Sequence, residues 1–505
     1  MAIVDQYGCP VSSRLLNAAD KFNRSRPYWQ TRAEDVRKAI DLNDWRTVLS
    51  VSRRIWANNG VVKGAIAKKA MHSVGRAWSP QFHGEDKVWG ELAEEWLEDE
   101  WYKLCDVRGT VYDFKTGLYL DSISIDRDGD VGILLTETSE NHYPKIQRIP
   151  AHRIGQRDQC EEKIKEGKYK GYRISHGVIY NRQGGPIAYR FLGDTVAEDE
   201  DIPADRLILF FDPEWDDQPR GIPVFSHALN DIRDADQSED WERLAQLINS
   251  SIVLLETNES GGLDANAPGT LLGGQDSESA SITQEQFDGG MTRYYKAGTG
   301  GKLEAHTASR PGADWETFQD RIARKSLQGV WPYSLVWKPD GMNGVQERSV
   351  IEDARALIRD RQDLLEANAR RIIGYAVSKA MKLGILPAYK GKDVGGFFKW
   401  KFTMPPKFSI DHGRDGNSRR ADYLLGHRNL EEILAEQGYS YADHMEDREE
   451  EALDIIVRAQ SLAKKTGVDF NIAFNLISER NSSAVKGSGT DGAPASVDNN
   501  NNANA

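Results

Sequence analysis

From Ser349 to Met381, apolar residues recur every three to four positions: Val350, Ile351, Ala354, Leu357, Ile358, Leu365, Ala369, Ile372, Ile373, Ala376, Val377 and Ala380. That period marks the buried face of an amphipathic helix. No Pro or Gly interrupts it before Gly374, and Gly384 and Pro387 stop it. At 1.5 Å per residue such a rod is roughly 50 Å long. It is either a coiled-coil strand or a strut. The pattern keeps no strict heptad, which favours the strut. Everything else in the chain has to be arranged around it.

At 505 residues there is room for two or more domains and a sizeable core. No run of eighteen apolar residues occurs, so no membrane span is expected. Met1 to Cys9 has neither a basic start nor an apolar stretch, so it does not read as a signal peptide. Cys9, Cys105 and Cys160 are scattered and odd in number, which suggests reduced thiols in a cytoplasm. The net charge of −13 argues against a protein that grips DNA through its surface. It does not argue against a conduit through which DNA slides.

Along the chain, Asn43 to Ala77 reads as two helices separated at Asn58-Asn59-Gly60, and Gly84 to Cys105 as a third. From Ser122 to Phe211 the period shortens. Ser122 to Ile125 and Gly132 to Leu135 look like strands, and the Asp-Gly between them is a hairpin signal. Further strands are expected at Gly177 to Tyr180, Ile187 to Phe191 and Leu207 to Phe211, in a β-rich domain of mixed pairing. Gly221 to Ser250 is helical with an acidic face. Thr257 to Arg310, rich in Gly, Ser and Asp, is too long for a loop and reads as an inserted subdomain. Its β-like pieces are Thr270 to Leu272 and Arg293 to Tyr295. Pro311 to Gln328 is helical, Trp331 to Gln346 a loop, and Phe397 to Phe402 a strand. Leu424 to Gly438, Glu446 to Lys465 and Asn471 to Ile477 are short helices. Beyond Asn481 the composition cannot support a core and reads as disordered. The order helix, insert, helix, loop, long helix suggests a channel wall built by many copies of the chain.

Motifs for chemistry are scarce. Asp126-Arg127-Asp128-Gly129-Asp130, with Glu137 beyond, resembles a calcium loop, but Val131 stands where that loop needs Gly. Gly298-Thr299-Gly300-Gly301-Lys302 hints at a phosphate loop, but Lys296 and Leu303 occupy defining positions. The histidines form no HExxH and no pair with metal-ligand spacing, and no nucleophile elbow is present. No catalytic residue, metal or cofactor is therefore expected. The loop 331–346 alone gathers groups suited to a nucleic acid: Trp331, Tyr333, Trp337, Lys338, Asn343 and Gln346. The competing reading is that its tryptophans pack under the long helix.

Several short stretches, in order, resemble the portal proteins of tailed bacteriophages, of the lambda type. They are Arg54-Ile55-Trp56-Ala57-Asn58-Asn59 before Val74-Gly75, Ala151-His152-Arg153-Ile154, Gly177 to Asn181, and Gly185 to Arg190. The most specific is Ile202 to Ile208 followed by Gln218-Pro219-Arg220-Gly221-Ile222-Pro223. Phe408-Ser409-Ile410-Asp411 and Glu436-Gln437-Gly438-Tyr439 also fit, although His412 departs from the usual Pro. The resemblance implies an α+β portal fold. Residues 1–45 would be an N-terminal extension, 46–220 a wing of helices plus a β-rich part, and 221–250 the first stem helix. Residues 251–310 would be the clip, 311–329 the second stem helix and 330–348 the tunnel loop. The long wing and crown helix would be 349–386, the C-terminal crown region 387–480, and the tail 481–505.

It further implies a ring of about twelve copies at one capsid vertex of the virion, assembled in the host bacterial cytoplasm. Double-stranded DNA would be packaged and ejected through it. The terminase large subunit, a head-tail connector or adaptor, and the major capsid and scaffolding proteins would be its partners, with no membrane. Trp337, Lys338, Asn343 and Gln346 would line the narrowest part of the channel, and Asp234, Glu239 and Glu242 its wall. Two other readings remain open on the residues alone. One is a metal-dependent cytoplasmic hydrolase using Asp126, Asp128 and Asp130; the other is a monomeric adaptor binding through the Gly/Ser-rich insert.

Overall fold

A computed structural model describes residues 35–75, 77–158, 162–250, 254–257, 294–295, 302–305, 313–336, 343–393, 395–405, 412–435, 437, 439 and 441–478. Two compact units divide the chain, Met1–Phe402 and Thr403–Ala505. In the first, a short helix α1 (Val36–Ala39) leads to α2 (Leu42–Asn58) and α3 (Gly60–Val74). Asp41 caps α2 by accepting from the amides of Asn43 and Asp44. Asn59 does the same for α3 through Val61 and Val62, so the expected break is a capped junction. Strand β1 (Pro80–Phe82) comes next, then α4 (Lys87–Trp96), a wide π turn (Leu97–Trp101) and α5 (Tyr102–Leu104). The helix expected from 84 to 105 is thus a continuous rod with a bulge.

The expected hairpin at Asp126 to Asp130 is absent. Residues 114–128 form α6 (Phe114–Asp128), closed by Gly129 at φ +91°. Strand β2 (Asp130–Glu137) begins one residue later. Ser122, Ile123, Ile125, Asp126 and Asp128 are all buried. With polar and apolar residues alike facing inward, the contrast that reveals a helical face is lost, and Ser-Ile-Ser-Ile imitates a strand. Asp-Gly here ends a helix.

The strands that follow are β3 (Pro144–Pro150), β4 (Arg173–Ser175), β5 (Val178–Tyr180), β6 (Pro186–Phe191), β7 (Glu200–Pro203) and β8 (Leu207–Phe211). They form two sheets, in the orders β3-β2-β8 and β4-β5-β6-β7. Every strand pairing in these two sheets is antiparallel, not mixed as expected. Helix α7 (Leu229–Ser250) starts eight residues after Gly221, because 221–228 is irregular backbone held against the end of α6. Within the insert, β9 (Leu254–Thr257), β10 (Tyr294–Tyr295) and β11 (Lys302–Ala305) form a small sheet in the order β10-β9-β11. Thr270 to Leu272 and Gly298 to Gly301 lie outside the described residues.

Helix α8 (Ala313–Leu327) returns, and a single 3-10 turn (Tyr333–Leu335) follows. Helix α9 (Gly344–Leu383) has 40 residues, about 60 Å by its rise. Gly384, at φ +76°, stops it as expected. Strand β12 (Trp400–Phe402) pairs antiparallel with β1, closing an aromatic cluster of Phe82, Trp89, Tyr389 and Trp400. The main core collects Ile66 of α3, Ile123 of α6, Phe225, Ile232 of α7, Leu327 of α8, Trp331, and Ala354 and Ile358 of α9.

The second unit holds α10 (His412–Leu424), α11 (Leu430–Ala435), α12 (Tyr441–Thr466) and α13 (Phe470–Ser478). Helices α12 and α13 fall where helices are expected, whereas of the helix expected over Leu424 to Gly438 only α11 forms among the described residues, with 425–429 turn and irregular backbone. Helix α10 is not anticipated, since His-Gly-Arg-Asp-Gly-Asn-Ser carries two glycines and no apolar period. Residues beyond 478 lie outside the described residues.

Candidate functional site: a helical pair rooted in buried ion pairs

The acidic run at the end of α6 is matched, carboxylate by carboxylate, to cations from distant parts of the chain. Asp121 accepts from Arg148 at 2.8 and 3.1 Å, and Arg148 also reaches Asp106 at 3.0 Å. Asp126 meets Lys69 of α3 at 3.3 Å and Arg361 of α9. Asp128 takes paired bonds from Arg53 at 2.9 Å and from Arg127 at 2.8 Å. Asp130 takes two from Arg220, at 2.6 and 2.7 Å, and one from the Gly221 amide at 3.0 Å. A charge moved out of water must be paired and hydrogen-bonded, and each of these is.

Titration follows the same balance. Burial pushes the Asp130 carboxyl above its ordinary value, against the opposing pull of Arg220. Burial also works against ionisation of Asp128, yet the bonds from Arg127 and Arg53 prevail and hold it low. Among the described residues, no group of three or more His, Cys, Asp or Glu is arranged for a metal. Asp126, Asp128 and Asp130, which the hydrolase alternative required, are committed to arginine and lysine instead.

Arg220 roots the helical part in the β-rich part. Its side chain is fully buried, and each of its five N–H groups donates. Nε and one Nη2 hydrogen bond Asp130; the others go to the carbonyls of Ala151 at 2.8 Å, His176 at 3.1 Å, and Ile154. The guanidinium also lies 4.4 Å from the Trp45 ring, and Trp45 Nε1 donates to the Gly221 carbonyl at 2.8 Å. Gly221 and Gly129 meet back to back: a Cβ on Gly221 would fall 1.9 Å from the Gly129 oxygen. The stretch Gln218-Pro219-Arg220-Gly221 is conspicuous in the sequence, but the partners of Arg220 and Gly221 lie 44 to 176 positions away.

Helices α7 and α8 run side by side. Trp315 Nε1 donates to the Ser238 hydroxyl at 3.3 Å, Gln319 to the Ala235 carbonyl at 3.3 Å, and Lys325 pairs with Asp231 at 2.6 Å. Asn59 donates to Asp236 at 3.0 Å. Of the residues expected to line a channel wall, Asp234 is exposed and Glu239 is half-buried, bonded to Arg243. Glu242 is only 9% exposed, so its carboxylate does not face solvent in the single chain as expected. Large apolar side chains stand open on the same helices: Trp241 is 66% exposed, Phe318 52%, and Leu244 is also exposed.

Beyond α8 the chain turns under α9. Trp331 is buried, stacked on His72 with ring centroids 5.8 Å apart, so this tryptophan packs as the competing reading holds. The Tyr333 hydroxyl donates to Asp320 at 2.7 Å. Trp337 and Lys338 lie outside the described residues. Asn343 and Gln346 form a capping box at the start of α9: the Asn343 side chain accepts from the Gln346 amide at 2.9 Å, and Gln346 reciprocates at 3.3 Å. An Asn followed three residues later by Gln, just before a long apolar period, is a signal that could have identified this role in the sequence.

In these features, charged groups tie elements together and the helices present open apolar faces. Residues 22–340 match the family model of phage portal proteins, lambda family. That span is more than half of the chain, and the chain belongs to the lambda family of phage portal proteins, structural components of the virion. No curated protein matches it. Among solved structures, it is similar to a chain in the virion of a native gene transfer agent (GTA) particle. There the identity is 13% and the TM-score 0.43, with 80% of this chain and 99% of that one covered. It is also similar to a chain in the neck of an empty GTA particle, at 11% identity and a TM-score of 0.44, covering 78% and 94%.

Proposed function

We propose that this portal protein closes into a ring of about twelve copies at one capsid vertex, with double-stranded DNA passing through its bore. The observation that carries the reading is the open apolar surface of α7 and α8. Trp241, Leu244 and Phe318 are exposed on long helices of a single chain, where other copies would cover them. Helices α7 and α8 then act as the stem, and residues 251–310 as the clip on which the terminase large subunit and later the head-tail connector dock. The acidic balance of the chain, −13, supports a bore that repels phosphate and does not hold the DNA. Within the tunnel loop, Trp337 and Lys338 remain the residues proposed to touch DNA. Asn343 and Gln346 act there through the start of α9.

Light scattering with negative-stain imaging tests the ring: a closed assembly with a central hole is expected, and a monomer at every salt concentration would refute it. Lys338→Glu is expected to leave the ring intact and lower DNA filling in a packaging assay. Normal filling would remove Lys338 from the channel.

A further inference from the structure

The pair α7 and α8 has two unlike faces. On one side, with the start of α3, it borders a cleft of about 500 Å³. Ile232, Ala235 and Glu239 of α7 and Glu316, Asp320 and Ala323 of α8 line it. At 100° per residue, Trp241 stands about 200° around α7 from Glu239. Phe318 stands about 200° around α8 from both Glu316 and Asp320. Trp241 therefore points away from the cleft on α7, and Phe318 on α8 stands about 120° around the helix from the mean direction of the residues that line it.

On α8 charge divides in the same way. The cleft is rimmed by Asp236, Glu239, Glu316 and Asp320. Arg321, exposed, is three residues past Phe318 and shares its face, and Lys325 follows one turn later. Heights agree as well. Gln319 bonds Ala235 and Lys325 bonds Asp231, so Phe318 lies level with about residue 236, the middle of the cleft. Knob and cleft sit on different faces of one helical pair and at one height. Surfaces of this kind suit a head-to-tail contact, in which each copy satisfies the next.

We propose that Phe318 of one copy seats in the α7–α8 cleft of the adjacent copy, with Trp241 against its upper rim and Arg321 paired with the neighbour's Glu316. This rests on the ring reading and specifies which surfaces close it. Aromatic and arginine anchors of this kind concentrate interface energy. Accordingly, Phe318→Ala is expected to weaken subunit association by about tenfold or more.

Two measurements test it. A variant carrying Phe318→Cys and Ala323→Cys cannot bridge within one helix, because those positions point about 140° apart. Under mild oxidation it should give a ladder of covalent multimers up to ring size, which neither single variant gives. Independently, Arg321→Glu and Glu316→Arg should each weaken association, and the two together should restore it. All four sites lie on the surface or cleft wall, and unchanged circular dichroism verifies the fold. Rings that form normally without a ladder, and with no loss in the charge variants, would overturn the docking while leaving the ring reading in place. A parent protein that never forms rings would overturn both.

Discussion

Replacing Arg220 with Ala should be among the most damaging single changes available in this chain. The pair it forms with Asp130 has no exposure on either side, so the variant strands a buried carboxylate. Breaking a buried pair from one side costs about 3–5 kcal/mol. The carbonyls of Ala151, Ile154 and His176 lose their donor too, at about 1–3 kcal/mol each before water enters the space. A net loss of about 5 kcal/mol is expected, against a domain stability of about 5–15 kcal/mol. Arg220→Lys keeps the charge but offers three donors where five are used, and should lose about 2 kcal/mol. Combining Arg220→Met with Asp130→Asn removes the stranded charge and should recover part of the loss. Urea unfolding followed by tryptophan fluorescence is the assay, since Trp45 lies under the guanidinium. An Arg220→Ala midpoint shift worth less than about 1 kcal/mol would refute the argument.

Other consequences are open to direct measurement. Burial, with the charges of Glu98 and Glu91 adding, pushes the Glu94 carboxyl up to about 7, despite the bond it accepts from the Phe82 amide. Its folded form holds the proton more tightly than the unfolded form at 4.5, so its contribution favours folding below that pH and is lost as pH rises through 7. Glu94→Gln should therefore narrow the gap in melting temperature between pH 5 and pH 8 by a few degrees; an unchanged gap would rule this out. Asn343→Ala removes half of the capping box and should cost about 1 kcal/mol, seen as faster amide exchange over residues 344–347. Gly129→Ala puts a methyl group at φ +91° and 2.6 Å from the Gly221 backbone, and a loss above about 2 kcal/mol is expected on thermal unfolding. A variant as stable as the parent would show that the two backbones are not held together.

Helix α9 was legible because one apolar stripe, an uninterrupted run and a terminal glycine all point to the same element. The α2–α3 junction was legible through its Asn-Asn-Gly, and β5, β6 and β8 through short β-branched runs between turn residues. Helix α6 was not, because Asp121, Ser122, Asp126 and Asp128 are buried beside its apolar residues, which blurs the contrast that sets a helical period. The ion pairs were hidden for a different reason. Asp126 and Arg361 are 235 positions apart, and no local pattern announces such a partner, so the acids invited a metal reading. The onset of α7 lies later than the apolar spacing of Val224, Ala228 and Leu229 suggests, because 221–224, with its Gly and Pro, is held against Gly129 and Asp126. Of the candidate site residues, Glu242 was read as facing outward from an acidic helix, and only the packing of that helix reveals its burial.

The arrangement at Arg220 has a mechanical consequence. A guanidinium held by five hydrogen bonds, beside two glycine backbones in contact, pins the chain nine residues ahead of α7. Load arriving along α7 would pass through residues 221–228 to that anchor, and from it to the strand at Asp130. At the other end of the helical pair, Gly329 at φ +79° turns the chain from α8 toward the segment beneath α9.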